Sequence, residues 1–226
     1  MIGWMQLMIG DMLALFASAG LLAAYHIYMR IQLRDNPSFT IQAVNFKARA
    51  VWVEGVMADR TKDVLAIQTL RNSTMASTLM ASTAVLLIIG VLTLSGQGEK
   101  LSGTWHVLNL FGDTRAELWV IKLLALMADF FVAFFSFSMS VRLFNHVGYM
   151  INTPISPRHV AMYLNKAGSY YSVGMRAYYF SVPLVFWLFG PLLMLVSTVA
   201  LIVILYNLDR APEFLSEDFR DTHGNG

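Results

Sequence analysis

Four long stretches of the chain are almost wholly apolar, and polar segments separate them. The first runs from about Trp4 to Met29, the second from about Ser73 to Leu94, the third from about Trp119 to Leu143 and the fourth from about Tyr178 to Tyr206. A helix needs roughly 20 mostly apolar residues to cross the hydrocarbon layer of a bilayer. Each stretch therefore predicts a membrane-spanning helix. The fourth contains Pro183 and Pro191, which spanning helices tolerate and which usually kink them. No Lys or Arg precedes Arg30, whereas a signal peptide starts with positive charge; the first stretch reads as a retained span. The expected fold is an all-α membrane protein: a four-transmembrane-helix bundle forming one integral membrane domain over residues 1–226.

The connections carry patterns of their own. From Thr40 to Met57, residues Ile41, Val44, Ala48, Val51, Trp52 and Gly55 fall on one helical stripe, and Gln42, Asn45 and Arg49 on another. This predicts an amphipathic helix lying at the membrane interface. Asn36-Pro37 breaks the chain before it, and Asp59 to Asp63 turns it toward the second span. In the third connection, Ser156-Pro157 is a helix start, with serine as N-cap and proline at the first position. A short helix to about Lys166 is expected to follow and to end at Gly168. These interfacial helices either cover the membrane surface or form a collar that contacts a partner or neighbouring subunit. The second connection, Ser95 to Glu117, is glycine-rich and polar, and the acidic tail after about Asp209 is expected to be loose.

Composition agrees with the pattern. Of 226 residues, 57% are hydrophobic and 13% charged, against about a quarter charged in soluble domains. Mean hydropathy is +0.57. This excludes a disordered chain and a nucleic-acid binder working through a basic surface. The absence of cysteine excludes disulfides, thiolate nucleophiles and zinc–thiolate sites. Seven Lys and Arg residues lie from Arg30 to Arg71 and four in the third connection, against five on the opposite side. Positive charge favours the cytoplasm. The first and third connections are therefore placed inside, in a cell membrane (an inner membrane), and both termini outside the cytoplasm.

Ionisable residues within spans are costly and are functional candidates by default. Asp129 lies near the middle of the third span and Asp11 in the outer half of the first. Lys122, two turns before Asp129, has the length to reach outward to the interface. These three read either as an inter-helix hydrogen-bond or ion-pair staple, as a proton or cation pathway, or as an oligomer contact. A weak internal echo links Gly10–Phe16 with Ala128–Phe134; each has a histidine 15 or 17 residues after its aspartate, as a two-plus-two duplication would leave.

A second group lies at the inner ends of the spans. His26 and Arg30 share a helix face, as do Gln68, Arg71 and Asn72, and Arg142 and His146 beside Asn145. Arg176 opens the fourth span. Together they predict a cationic vestibule for a lipid phosphate or small carboxylate; the alternative is the charge bias of inner loops alone. His26 and His146 also lie at a depth where they would serve as bis-histidine ligands of a haem. His106 and His159 fall in loops with too few neighbours for zinc. Small residues recur every four positions at Ser73, Ser77 and Ala81 and at Thr74, Thr78 and Ser82, a spacing that lets helices approach closely within the protein or between subunits.

Tyr25-His26, Gln68 to Asn72 running into Met75-Ala76-Ser77-Thr78, and Ser140-Val141-Arg142 with Asn145-His146 resemble an uncharacterised multi-pass membrane family catalogued as domain of unknown function 599. The resemblance implies a multi-pass membrane protein of this length and brings no activity with it. With no nucleophile–base set, phosphate loop or metal motif, the expectation is a non-enzymatic protein without a cofactor. Membrane lipids and copies of itself are its expected partners, together with a larger membrane complex in which it is a scaffold or accessory subunit. A small ion, proton or solute carrier using Asp11 and Asp129, and a b-type haem electron carrier, are the alternatives.

Overall fold

Long segments free of proline let helices extend, and the computed structural model of the protein is built from them. It describes residues 2–96 and 116–211, the side chains of 2–8 and 116 excepted. In chain order these form α1 (Ile2–Asp35), α2 (Ile41–Met57), a 3-10 turn (Arg60–Lys62), α3 (Asp63–Ser95), α4 (Ala116–Met150), α5 (Pro157–Phe189) and α6 (Pro191–Asp209). No strand occurs among the described residues. An isolated antiparallel bridge pairs Thr40 with Arg210, and Ala211 N–H donates to the Phe39 carbonyl at 2.9 Å. The expectations for the second connection beyond Gly96 and for the acidic tail beyond Ala211 lie outside the described residues.

Four helical segments are long and apolar enough to cross a membrane: Ile9–Asp35, Arg60–Ser95, Glu117–Met150 and Pro191–Asp209. The second and third contain the predicted spans, and the first overlaps the predicted 4–29 from Ile9 onward. The fourth differs from the expected 178–206. The chain does not stop at Gly168; α5 continues through it, and through Pro183, to Phe189. The break comes instead at Gly190, whose φ is 155°. Glycine accepts positive φ without a Cβ clash, and Pro191 then opens α6 where a missing N–H costs nothing. Helical bonding resumes at once, with Met194 N–H donating to the Gly190 carbonyl at 3.2 Å.

Local caps follow the sequence. Thr40 Oγ1 accepts from Ala43 N–H at 3.3 Å at the start of α2. The Ser156 carbonyl accepts from His159 N–H at 2.9 Å, with Pro157 first in α5. Asp59 caps the 3-10 turn by accepting from the Thr61 hydroxyl at 2.7 Å and the Thr61 N–H at 3.0 Å. Those bonds from Thr61 hold its carboxyl below the usual range.

The chain divides into two compact units. The first comprises Met1–Ile31, Ala84–Val132 and Arg176–Asn207. Its apolar core joins Ile88 and Val91 of α3, Trp119, Leu123, Leu126 and Phe130 of α4, and Leu188 of α5. The second comprises Gln32–Thr83, Ala133–Met175 and Leu208–Gly226. There α2 sets Val53 and Val56 against Ala66 and Leu70 of α3, Phe144 and Val147 of α4, and Val160 and Leu164 of α5.

This docking corrects the stripe expected on α2. Val44, Val53 and Val56 are its buried residues, whereas Val51 is 60% exposed and Gly55 is also outside. The buried side is chosen by the protein helices it packs on, so apolar Val51 and Phe46 are left facing outward. On α3, the stripe through Ser77 and Ala81 is the packed one. The Ser77 and Ser140 hydroxyls lie 3.3 Å apart, and Ser140 Oγ donates to the Ala167 carbonyl at 3.0 Å. Thr78 and Ser82 of the companion stripe are exposed.

Within the four membrane-length segments, only 22–39% of the most apolar window is buried inside the protein. Leu13, Phe16, Leu79, Leu86 and Phe135 are among the large apolar side chains left outside. Such faces are stable against hydrocarbon, not against water.

Candidate functional site

The first unit contains the most deeply buried charges. Lys122 Nζ on α4 lies 2.9 Å from Asp11 Oδ1 on α1, with side chains 2% and 0% exposed. The same carboxylate oxygen accepts the indole N–H of Trp187, on α5, at 2.8 Å. The ammonium also sits 5.3 Å from the Trp187 ring centroid, a cation–π distance. Lys122 therefore does not reach outward to the interface as expected. A full charge of opposite sign inside the protein holds it more strongly than the interface would, since Coulomb attraction grows as the dielectric falls. Two turns along α1 from Asp11, Ser18 Oγ accepts from Thr198 Oγ1 of α6 at 3.1 Å, and both are buried.

Asp129 is in a different setting from Asp11, though the two head the echoing segments. Its Oδ2 is buried and has no hydrogen-bond partner among the described residues. It follows Leu126 and precedes Phe130, both core residues of this unit.

His26 meets Arg176 in the same unit, at 2.8 Å from Nε2 to Nη1. A guanidinium has donors and no acceptor, so Nε2 accepts. Nδ1 then carries the proton and donates it to the Leu22 carbonyl at 2.8 Å. The tautomer is thus fixed by its partners. Tyr25 and Phe180 stand edge-on to the ring at 5.5 and 5.8 Å. With Nδ1 tied to the helix, Nε2 is the atom a haem iron would require, and Arg176 occupies it. Arg30, one turn on, is exposed.

The rest of the expected vestibule belongs to the second unit. Gln68, Arg71 and Asn72 of α3 and Arg142, Asn145 and His146 of α4 are all exposed. His146 has Tyr163 of α5 against it, ring centroids 5.1 Å apart. These side chains face out from helices whose adjacent residues Leu70, Leu143, Phe144 and Val147 form the core.

One polar cluster was not anticipated. Arg49 Nη1 of α2 donates to Asn165 Oδ1 of α5 at 3.3 Å, and Asn165 Nδ2 donates back to the Phe46 carbonyl at 3.2 Å. Asn165 is buried, and burial pulls Arg49 down from the ordinary arginine value. A Cβ on Gly168 would fall 2.5 Å from the Arg49 guanidinium carbon. The signal in the sequence was a glycine three residues after an asparagine within a helix. Trp187 likewise went unnoticed, as one aromatic among many in an apolar run.

Chemically, these groups can hold helices together and bind anions. Among the described residues no cluster of three His, Asp or Glu has the arrangement of a metal site; His159 is exposed, and His106 lies outside the described residues. No curated protein and no solved structure matches the chain. A family model described as "Protein of unknown function, DUF599" matches residues 13–214, from within α1 to past the end of α6. By that match the chain belongs to the DUF599 family.

Proposed function

We propose that the protein is a non-enzymatic, multi-pass cell-membrane protein that assembles as a homo-oligomer and binds anionic lipid headgroups on an outward cationic surface. In this reading its spanning helices form a bundle with both termini outside the cytoplasm, and it serves a larger membrane complex as scaffold or accessory subunit. The observation that carries the reading is the exposure of Arg71 and Arg142, with Gln68, Asn72 and Asn145 beside them, on helices that bury their immediate neighbours. Guanidinium groups pair with phosphate through two parallel hydrogen bonds, and amides complete the shell. Placed at the end of an apolar span, they suit a lipid phosphate better than a freely diffusing anion, because lipid is already concentrated there.

Native mass spectrometry of the full chain released from mild detergent tests this. A discrete oligomer carrying anionic lipid is expected, with Arg71→Ala and Arg142→Ala each losing lipid or subunits. Both variants retaining wild-type lipid content, assembly and thermal stability would overturn it.

A further inference from the structure

Asp129 is a partly buried acid whose buried carboxyl oxygen, Oδ2, the polar contacts among the described residues do not use. A carboxylate withdrawn from water without a hydrogen-bond donor or cation is strongly disfavoured, and the acid form is what such a setting accommodates. Asp129 Oδ2 is buried with no partner among the described residues. Among the described residues of the same unit, the other charged groups and His26 either pair with one another or are exposed. On α1, Asp11 holds Lys122 of α4, and His26 holds Arg176 of α5. Arg30 and Glu117 are exposed. Tyr178 of α5 is half-buried, stacks edge-on to Phe130, and does not bond Oδ2 of Asp129. None of these supplies Asp129 with a charge-assisted bond to that oxygen.

We propose that Asp129 is a proton-binding site within α4, a carboxylic acid that takes up and releases a proton inside the apolar segment, while the Asp11 carboxyl is taken up by Lys122 and Trp187. The proposal separates two aspartates that the sequence presents as equivalents, and it does not depend on the lipid reading.

The test is chemical. N,N′-dicyclohexylcarbodiimide dissolves in bilayers and reacts with carboxylic acids. The acid's proton passes to a carbodiimide nitrogen, the carboxyl oxygen adds to the central carbon, and the acyl group then migrates to nitrogen. The resulting N-acylurea is a stable adduct that retains every atom of both reactants. The full chain in phosphatidylcholine vesicles is treated at pH 5 and pH 7, and adducts are located by peptide mass spectrometry. An ordinary aspartate, with a pKa of about 3.9, loses about a hundredfold of its acid form over that interval. Labelling at Asp129 within a few-fold between the two pH values, none at Asp11, and loss of the adduct in Asp129→Asn but not in Asp129→Glu are expected. No adduct at Asp129, an adduct at Asp11 instead, or a hundredfold fall between pH 5 and pH 7 would overturn the proposal. The wild-type protein alone decides these outcomes, so a misfolded variant does not rescue it.

Discussion

The ammonium of Lys122 lies 2.9 Å from the carboxylate of Asp11, and the indole of Trp187 bonds the same oxygen. Two charges removed from water offset each other's desolvation without adding much net stability. Their effect is on pairing: α1, α4 and α5 meet where a lone charge on any of them would be stranded. Removing one partner typically costs about 3–5 kcal/mol, whereas replacing both by apolar groups is often neutral. Lys122→Met and Asp11→Leu should therefore each lower the thermal midpoint in detergent. The double variant Asp11→Leu/Lys122→Met should recover most of the loss. Equal additive losses would mean that the two groups act independently.

Arg49 and Gly168 give a prediction that changes sign. The guanidinium occupies the space where a Cβ on Gly168 would stand, so Gly168→Ala displaces it from Asn165. Losing a hydrogen bond from a charged group costs about 1.5–3 kcal/mol, against about 1 kcal/mol gained by exchanging a mid-helix glycine for alanine. Gly168→Ala should be destabilising by about 0.5–2 kcal/mol in the wild type. In an Arg49→Ala background the clash is gone and the same change should stabilise. A pair of thermal melts in each background reads the difference.

How far this fold was legible follows from the range of the interactions that set it. Three membrane-length segments were readable because apolar runs bounded by polar turns are local. The Ser156-Pro157 start was readable for the same reason. The partition between α5 and α6 was not. Gly168 resembles a terminator when seen along the chain, and its actual role depends on Arg49, more than a hundred residues away. The face that α2 buries was missed because an apolar stripe does not say whether lipid or protein will cover it, and Val51 is 60% exposed.

Among the candidate site residues, helix-face spacing relates neighbours on one helix and cannot assign partners on another. Lys122 was expected at the interface because a long side chain often reaches there. Its position was decided by Asp11, a residue on a different helix. His26 and His146 have similar places along their helices, yet His26 bonds Arg176 and His146 is exposed against Tyr163.

The His26 geometry carries its own prediction. Both ring nitrogens are engaged, one by the Leu22 carbonyl and one by Arg176. Protein purified after haem-replete expression should show no Soret band, and added haemin should not be taken up stoichiometrically. A Soret band that disappears in His26→Ala would show that the imidazole leaves Arg176 for iron.

Gly190 and Pro191 divide the work of breaking α5 from α6, and their substitution distinguishes which residue sets the break. Gly190 is buried at a φ of 155°, a region that costs a residue with a Cβ about 1–3 kcal/mol. Pro191 stands at the first position of α6, where it removes no intrahelical bond and mainly restricts the unfolded chain, an effect of about 0.4–1 kcal/mol. Gly190→Ala should therefore lower the thermal midpoint more than Pro191→Ala does. If the proline itself forced the break, Pro191→Ala would let α5 run on into α6, and the order would reverse. The comparison also bears on the membrane assignment, because α6 begins its apolar segment at this residue. A protease-accessibility or cysteine-labelling scan across 186–194 in the two variants should place the start of the shielded region unchanged in Pro191→Ala and shifted in Gly190→Ala.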